Sequence, residues 1–294
     1  MRIIVTGASG FLGKELVKQL CERDIDFLAA TSRPSLLVEQ TGISANSVIE
    51  AKQLLREEVY EERDVIMNCA FPRTNDGAAM AEGLNYLAQL ICCAMRSKVA
   101  GFVNISSQSV YSQHRTKPAI ETDALCLESS YAVAKRGIEL LLEAQAGCVP
   151  CTNIRLASLI GPNFDQRVPN RMAKTALETG QIQVADNGSQ FGFMDVRDAA
   201  GALISMLEHP IRKWRHVYNL SSEESWILPE LAEMIKMVIE SYFDRVIDIQ
   251  VVASRIQELP LNTLMDATAF RRDFGWKPAY GKKESIESIV LSVL

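Results

Sequence analysis

Apolar and polar positions follow two rhythms along the first half of the chain. Short apolar runs of strand length, MRIIV, IDFLAAT, DVIMNCA and GFVNIS, are separated by longer stretches whose apolar residues recur at helical spacing. Leu12, Leu16, Val17 and Leu20 mark one such stripe directly after the first run. The pattern also predicts a short strand around SVIE, a charged helix over AKQLLREEVYEE, a long helix from Ala78 to Arg96, a helix from Ser130 and a strand over TNIRLASLI. Near-continuous apolar runs belong to strands covered on both faces. Strands spaced by helices build a parallel sheet with helices on both sides. After Gly161 and Pro162 the rhythm loosens into a helix near Arg171 to Thr179, a strand IQVAD, a helix from Asp198 to Leu207, a helix from Pro229 to Tyr242, a strand IDIQVV and a closing helix. The expected architecture is α/β: a doubly wound parallel sheet over residues 1–160, and a smaller mixed α/β domain over residues 161–294 with some segments returning to the large sheet. No internal repeat or low-complexity linker separates the two, so they are expected to pack closely.

Composition narrows the function. A chain of 294 residues with 48% hydrophobic content can bury a sizeable core. Its net charge of −5, with no long run of Lys or Arg, excludes nucleic acid as the main partner. The densest apolar stretch, LAQLICCAM, is far shorter than the ~18 residues a membrane span needs. The apolar start is too short for a secretory signal. A cytoplasmic protein without membrane contact is expected. Seven cysteines, an odd number, argue against a disulfide framework. Cys148 and Cys151 form CVPC, but ahead of a strand rather than at a helix N-terminus, where a redox thiolate would be stabilised. None of His114, His209 and His216 stands at metal-ligand spacing, so no metal site is expected.

The first apolar run ends in TGASGFLG. Three glycines between a strand and a helix are the requirement of a dinucleotide site: Gly7 for a tight turn, Gly10 for close approach of the diphosphate, Gly13 for helix-on-strand packing. The diphosphate then lies on the positive end of the helix. The spacing GxxGxxG is weak alone, and its context carries it. It makes the large domain a Rossmann-type fold. An NAD site wants an acidic residue at the end of the second strand. Here stand Thr31, Ser32 and Arg33, which suit a 2′-phosphate. NADP(H) is therefore the expected cofactor, with NAD(H) the alternative.

Tyr131 and Lys135 form YAVAK, one helical turn apart on one face. A free tyrosine titrates near 10, and a neighbouring ammonium favours its phenolate. Such a tyrosine can give a proton to a carbonyl oxygen, or take one from a hydroxyl, while hydride moves at carbon. The lysine can also hold the cofactor ribose. NISSQSVYS places Ser106, Ser107 and Ser109 at the end of a parallel strand, where a ligand crevice opens.

Together these segments resemble the extended short-chain dehydrogenase/reductases, the NAD(P)-dependent epimerase/dehydratase group of nucleotide-sugar enzymes. The resemblance covers nearly the whole chain. TGASGFLG matches the family's glycine motif, NCAFPR stands at its "HLAA" loop, NISSQSVYS matches "SSxxVYG", and YAVAK matches YxxxK. RLASLIGP resembles "RxxNVYGP", FMDVRDAA resembles "xxHVxDxA", and NLSSEESWILPELAEMI and FGWKP resemble the closing "NIGxGxxxSxxELA" and "LGWxP". The resemblance implies catalysis by Ser107, Tyr131 and Lys135. It implies cofactor contacts from Gly7, Ser9, Gly10, Phe11, Leu12, Gly13, Ser32, Arg33, Ala70, Tyr131 and Lys135. It implies substrate contacts from Ser107, Asn163, Arg171, Phe191 and Arg255, and a homodimer formed through the helices near 78–96 and 130–146. Two departures stand out. Phe191 occupies the usual place of a diphosphate-binding Arg, leaving Arg255 in RIQELP as the matching one, with Arg171 or Lys174 as substitutes. Asn68 and Cys69 replace the usual His-Leu. Gln108 and Ser109 stand where a dehydratase has an acid/base pair, which disfavours dehydration. The implied activity is NADPH-dependent ketoreduction or 4-epimerisation of a nucleotide-sugar, the reductase favoured because cells hold NADP largely reduced. The alternatives are a reductase of a non-sugar carbonyl compound and a non-catalytic cofactor-binding regulatory subunit.

Overall fold

The computed structural model describes residues 1–74, 76–145, 147–252 and 259–293. The chain opens with β1 (Arg2–Thr6), α1 (Phe11–Glu22), β2 (Phe27–Thr31), α2 (Pro34–Thr41), β3 (Val48–Glu50) and β4 (Asp64–Asn68). It continues through α3 (Gly77–Arg96), β5 (Gly101–Ser107), α4 (Ser130–Glu143), β6 (Cys151–Leu156) and β7 (Ser158–Ile160). Next come α5 (Val168–Thr179), β8 (Gln181–Ala185), β9 (Phe193–Asp195), α6 (Val196–Ser205) and β10 (Val217–Leu220). The described chain closes with α7 (Leu228–Tyr242), β11 (Asp248–Val252), α8 (Thr268–Phe274) and α9 (Lys282–Leu291).

Seven strands form one parallel sheet in the order β10-β6-β5-β4-β1-β2-β3. The chain starts in mid-sheet, winds outward to β3, then crosses back to β4 and winds the other way. Crevices at such reversals, beyond the C-terminal strand ends, are where doubly wound sheets hold ligands. One face is covered by α1 and α6, with Leu16, Val17, Leu20, Ala199 and Leu203 buried. The other is covered by α3 and α4, through Leu87, Leu90, Ile91, Ile138 and Leu142. A third cluster joins α5, α7 and α9 to β8, with Ile182, Leu231, Ile235, Ile239 and Ile289 at its centre.

A row of polar side chains crosses the middle of the large sheet. Thr6, Asn68, Asn104 and Asn153 are register partners on β1, β4, β5 and β6. The Thr6 hydroxyl donates to the Asn68 carbonyl at 2.6 Å, the Asn68 amide to Asn104 at 3.0 Å, and the Asn104 amide to Asn153 at 2.8 Å. A buried amide left without its partner costs about 1–3 kcal/mol, so a register slip anywhere in the row is penalised. Asn68, one of the two family departures, is thereby a lock on strand register.

Two expectations change, and one strand is added. AKQLLREEVYEE forms two short 3₁₀ turns, Ala51–Leu55 and Glu57–Val59, instead of a helix. Leu54 and Tyr60 both turn into the core, and the Tyr60 hydroxyl donates to the Leu54 carbonyl at 2.6 Å, a geometry a continuous helix would not allow. TNIRLASLI splits at Ala157, whose N–H donates to Leu220 of β10, and the chain then pairs with β9 in a separate two-stranded sheet. HVYNL supplies β10, too short to stand out in the sequence, and extends the large sheet beside β6.

Candidate active site

The glycine loop is shaped by close contact. Gly7 sits at φ +64°, and a Cβ there would lie 2.8 Å from the Ala70 backbone. A Cβ on Gly13 would overlap the Gly7 carbonyl oxygen. The Gly10 N–H donates to that same carbonyl at 2.8 Å, closing the turn. Among the described residues no side chain caps α1, so its first-turn N–H groups are left for an anion at the positive end of the helix. These features fit a dinucleotide diphosphate. At the end of β2, the Thr31 hydroxyl donates to Ser9 Oγ at 2.7 Å and accepts the Arg33 N–H at 3.1 Å. Ser32 and Arg33 are exposed there, and no carboxylate pairs with Arg33 among the described residues. That setting is open to a 2′-phosphate.

Helix α4 delivers the YxxxK pair. Ser129 caps it by accepting the Ala132 N–H at 3.1 Å, which puts Tyr131 in the first turn and Lys135 one turn later. Lys135 is buried, and its Nζ donates to the Ile105 carbonyl of β5 at 2.7 Å. The ammonium lies 5.0 Å from the centre of the Phe71 ring and 5.8 Å from that of Tyr131. The strand-ending serines separate into two kinds. Ser107 faces the cleft, and its Oγ accepts both the N–H of Ser109, at 3.1 Å, and its hydroxyl, at 2.9 Å. Ser106 is tied into the core, donating to Glu139 at 2.5 Å. Glu139 also accepts Arg155 Nε and Nη2, at 3.1 and 2.9 Å. Arg155 in turn donates to the Tyr111 hydroxyl, which donates to Asn219. Burial alone would raise the Glu139 carboxyl, but its bonds from Arg155, Ser106 and Arg136 hold it below the ordinary value.

Ser107, Tyr131 and Lys135 share one cleft of roughly 240 Å³ with Phe11 and Leu12 of the glycine loop. Cys69 also lines it, and burial pushes its thiol up to about 12 despite the nearby Lys135. Phe71, Arg73, Phe164 and Arg167 complete the rim. Phe164 stacks on Phe11 with centroids 4.0 Å apart, closing the C-terminal half onto the glycine loop. Phe71 and Arg73 fall within the NCAFPR loop matched in the sequence, whereas Phe164 and Arg167 lie in a loop without a spacing signal.

Three expected substrate contacts lie outside this cleft. Asn163 lines a separate cavity behind α1. Arg171 is exposed on α5. Phe191 stacks on Phe193 at 5.6 Å and pairs its backbone with Trp226. Arg255 falls outside the described residues. Among the described residues all seven cysteines are free, and no helix is long and apolar enough to cross a membrane.

Comparison with known proteins gives concordant relatives. The chain is 26% identical to a dTDP-4-dehydro-6-deoxy-D-allose reductase of Streptomyces sp, over 81% of each chain. It is 25% identical to UDP-glucuronic acid decarboxylase 1 of Arabidopsis thaliana, over 99% of this chain and 69% of that one. Its fold superposes on UDP-glucuronic acid 4-epimerase of Bacillus cereus with a TM-score of 0.83 at 19% identity, covering 100% of this chain and 99% of the other. The model of the NAD dependent epimerase/dehydratase family matches residues 3–221, and with the glycine loop, the YxxxK helix and the doubly wound sheet all in place, this chain is an enzyme of that family.

Proposed function

We propose that this enzyme uses NADP(H) to reduce a ketone on a nucleotide-activated sugar, or to epimerise such a sugar at C4. The observation that carries the reading is the meeting of Ser107, Tyr131 and Lys135 with the glycine loop in one cleft. When bound, the nicotinamide exchanges a hydride with the substrate carbon. Tyr131 Oη moves the matching proton at the substrate oxygen. The Ser107 hydroxyl, with Ser109 donating to it, orients that oxygen. Lys135, fixed by the Ile105 carbonyl, keeps a positive charge beside the tyrosine and reaches toward the cofactor ribose. Gly7, Ser9, Gly10, Phe11, Leu12, Gly13 and Ala70 hold the cofactor backbone, and Ser32 with Arg33 takes the 2′-phosphate. Gln108 donates to Gln113 and accepts from Arg115, so the place of a dehydratase acid holds a committed amide. The Streptomyces relative, a nucleotide-sugar reductase by name, supports the reductase over the epimerase.

The test is direct. Purified protein with NADPH and a panel of nucleotide 4-keto sugars should oxidise NADPH with at least one of them. Turnover of NADPH only with non-sugar ketones would favour the second reading, which is supported by Phe191 standing in the sequence where a diphosphate-binding Arg is usual. We also propose a homodimer through α3 and α4. Val133, Leu140 and Leu141 are apolar and exposed on α4, as an interface helix would require.

A further inference from the structure

The cleft is one-sided in charge. Arg73, Lys135 and Arg167 line it, and among the described residues no Asp or Glu does. Elsewhere Arg155 is matched with Glu139, Arg2 with Asp64 and Arg197 with Asp195, while Arg115, which has no carboxylate among the described residues, donates to the Leu264 and Ser112 carbonyls and to Gln108 instead. Among the described residues neither Arg73 nor Arg167 has a carboxylate within ion-pair distance, although the whole chain carries a net charge of −5. Arg167 Nε is buried with no hydrogen-bond partner among the described residues, and the guanidinium lies 5.3 Å from the centre of the Phe164 ring. Burial and, after it, the Arg73 charge push Arg167 down to about 10, while Tyr131 opposes the shift. An unmatched cation with a sealed donor costs free energy until an anion meets it. The two guanidinium groups come from separate loops, after β4 and before α5, so only the fold brings them to Tyr131.

We propose that Arg73 and Arg167 form a clamp for a carboxylate carried on the sugar ring of the substrate, so that the enzyme selects acidic nucleotide-sugars over neutral ones. The clamp rests on the Tyr131-centred reading above and adds a substrate class to it. The cofactor diphosphate already has a place on the uncapped start of α1. A group next to Tyr131 belongs instead to the reacting ring, because the tyrosine must touch the oxygen that changes. Two planar guanidinium forks match the geometry of a carboxylate.

Binding tests the clamp without turnover. The protein is saturated with NADP⁺ and titrated calorimetrically with UDP-glucuronate, UDP-glucose, free glucuronate and free glucose, as wild type, Arg73→Met, Arg167→Met and Arg167→Lys. The wild type should bind UDP-glucuronate about tenfold or more tightly than UDP-glucose. Each Met variant should lose that preference, and Arg167→Lys should recover part of it. Affinity for UDP-glucose and for NADP⁺ should stay within about twofold, less than one charged hydrogen bond is worth. Arg73 is exposed on its loop, so Arg73→Met keeps the test alive if Arg167→Met does not fold. Three results overturn the clamp: a wild type without acid preference, equal loss for acid and neutral nucleotide-sugars, which assigns the arginines to the substrate diphosphate, or a matching loss for NADP⁺, which assigns them to the cofactor. If no UDP-sugar binds, the nucleotide reading fails separately. The clamp then stands on glucuronate binding that both Met variants abolish, and falls if glucuronate binds no better than glucose.

Discussion

Tyr131 and Lys135 face the same cleft because α4 starts where it does. The Ser129 cap fixes the first turn, and the Ile105 carbonyl fixes the ammonium one turn further on. Tyr131→Phe removes one oxygen and no packing, so folding and NADPH binding should persist. Turnover should fall by about 10²–10⁴, the usual worth of a placed proton donor. Steady-state kinetics beside a fluorescence titration of NADPH checks both halves of that expectation. A variant within a few-fold of wild type would place the proton donor elsewhere. Arg33 makes the second residue-scale case. It is exposed at the end of β2, with the Thr31 hydroxyl accepting its N–H. Arg33→Ala should weaken NADPH by ~1.5–3 kcal/mol, the worth of a charged hydrogen bond, and leave NADH nearly unchanged. Equal wild-type affinities for the two cofactors would remove the 2′-phosphate role. The residues legible in the sequence are those whose spacing is set by one element: the glycines of the β1–α1 turn, the YxxxK helix face, the serine at a strand end. Arg73 and Arg167 were not legible as a pair, since they stand 94 positions apart in loops and meet only through topology.

At the scale of elements, the Glu139 network ties β5, α4, β6 and β10 together through Ser106, Arg155, Tyr111 and Asn219. Glu139 is held below its ordinary value in the fold. An unfolded glutamate titrates near 4.3, so at acid pH the unfolded chain takes up the proton first. The stabilisation is therefore present in full above that unfolded value and is lost as pH falls through the lower, folded one. Glu139→Gln should flatten this acid limb. At neutral pH it should cost about 3–5 kcal/mol, because Arg155 is left buried without its counter-charge. Urea melts of both proteins from neutral pH into the acid range give the comparison; parallel curves would show that Glu139 carries no acid-linked stability. Element type was readable wherever burial was two-sided. The five residues of β4 are all buried, and the apolar run over 65–67 at its centre announced a buried strand. AKQLLREEVYEE misled because its charges suggested a solvated helix face, while the local shape is decided by Leu54 and Tyr60 seeking the core. TNIRLASLI misled because an apolar run cannot say which of two sheets its end will join.

The whole molecule is laced rather than joined by a single linker. β10 returns to the large sheet after β8 and β9 have formed outside it. Asn262 then donates to Gln113 while Thr263 donates to Gln190, so one stretch of backbone holds a loop after β5 and a loop before β9. Phe270 and Phe274 enter the large core, and Asp198 accepts the N–H groups of Ala279 and Tyr280 before α9 packs on α5 and α7. Neither half can open without unzipping the other, so both should unfold in one transition. The tryptophans provide separate reporters: Trp226 lies in the C-terminal cluster, Trp214 and Trp276 in or against the large core. Trp214 and Trp226 have unpartnered indole N–H groups, so replacing either with Phe orphans no acceptor. A Trp214→Phe/Trp276→Phe protein and a Trp226→Phe protein should each show the same urea midpoint by fluorescence and by circular dichroism. NADPH at about a hundred times its Kd should then stabilise both by ~2.7 kcal/mol, although its expected contacts lie mainly in the large half. If the Trp226 signal melted early, or ignored NADPH, the C-terminal cluster would be an independent unit that could open without the large core.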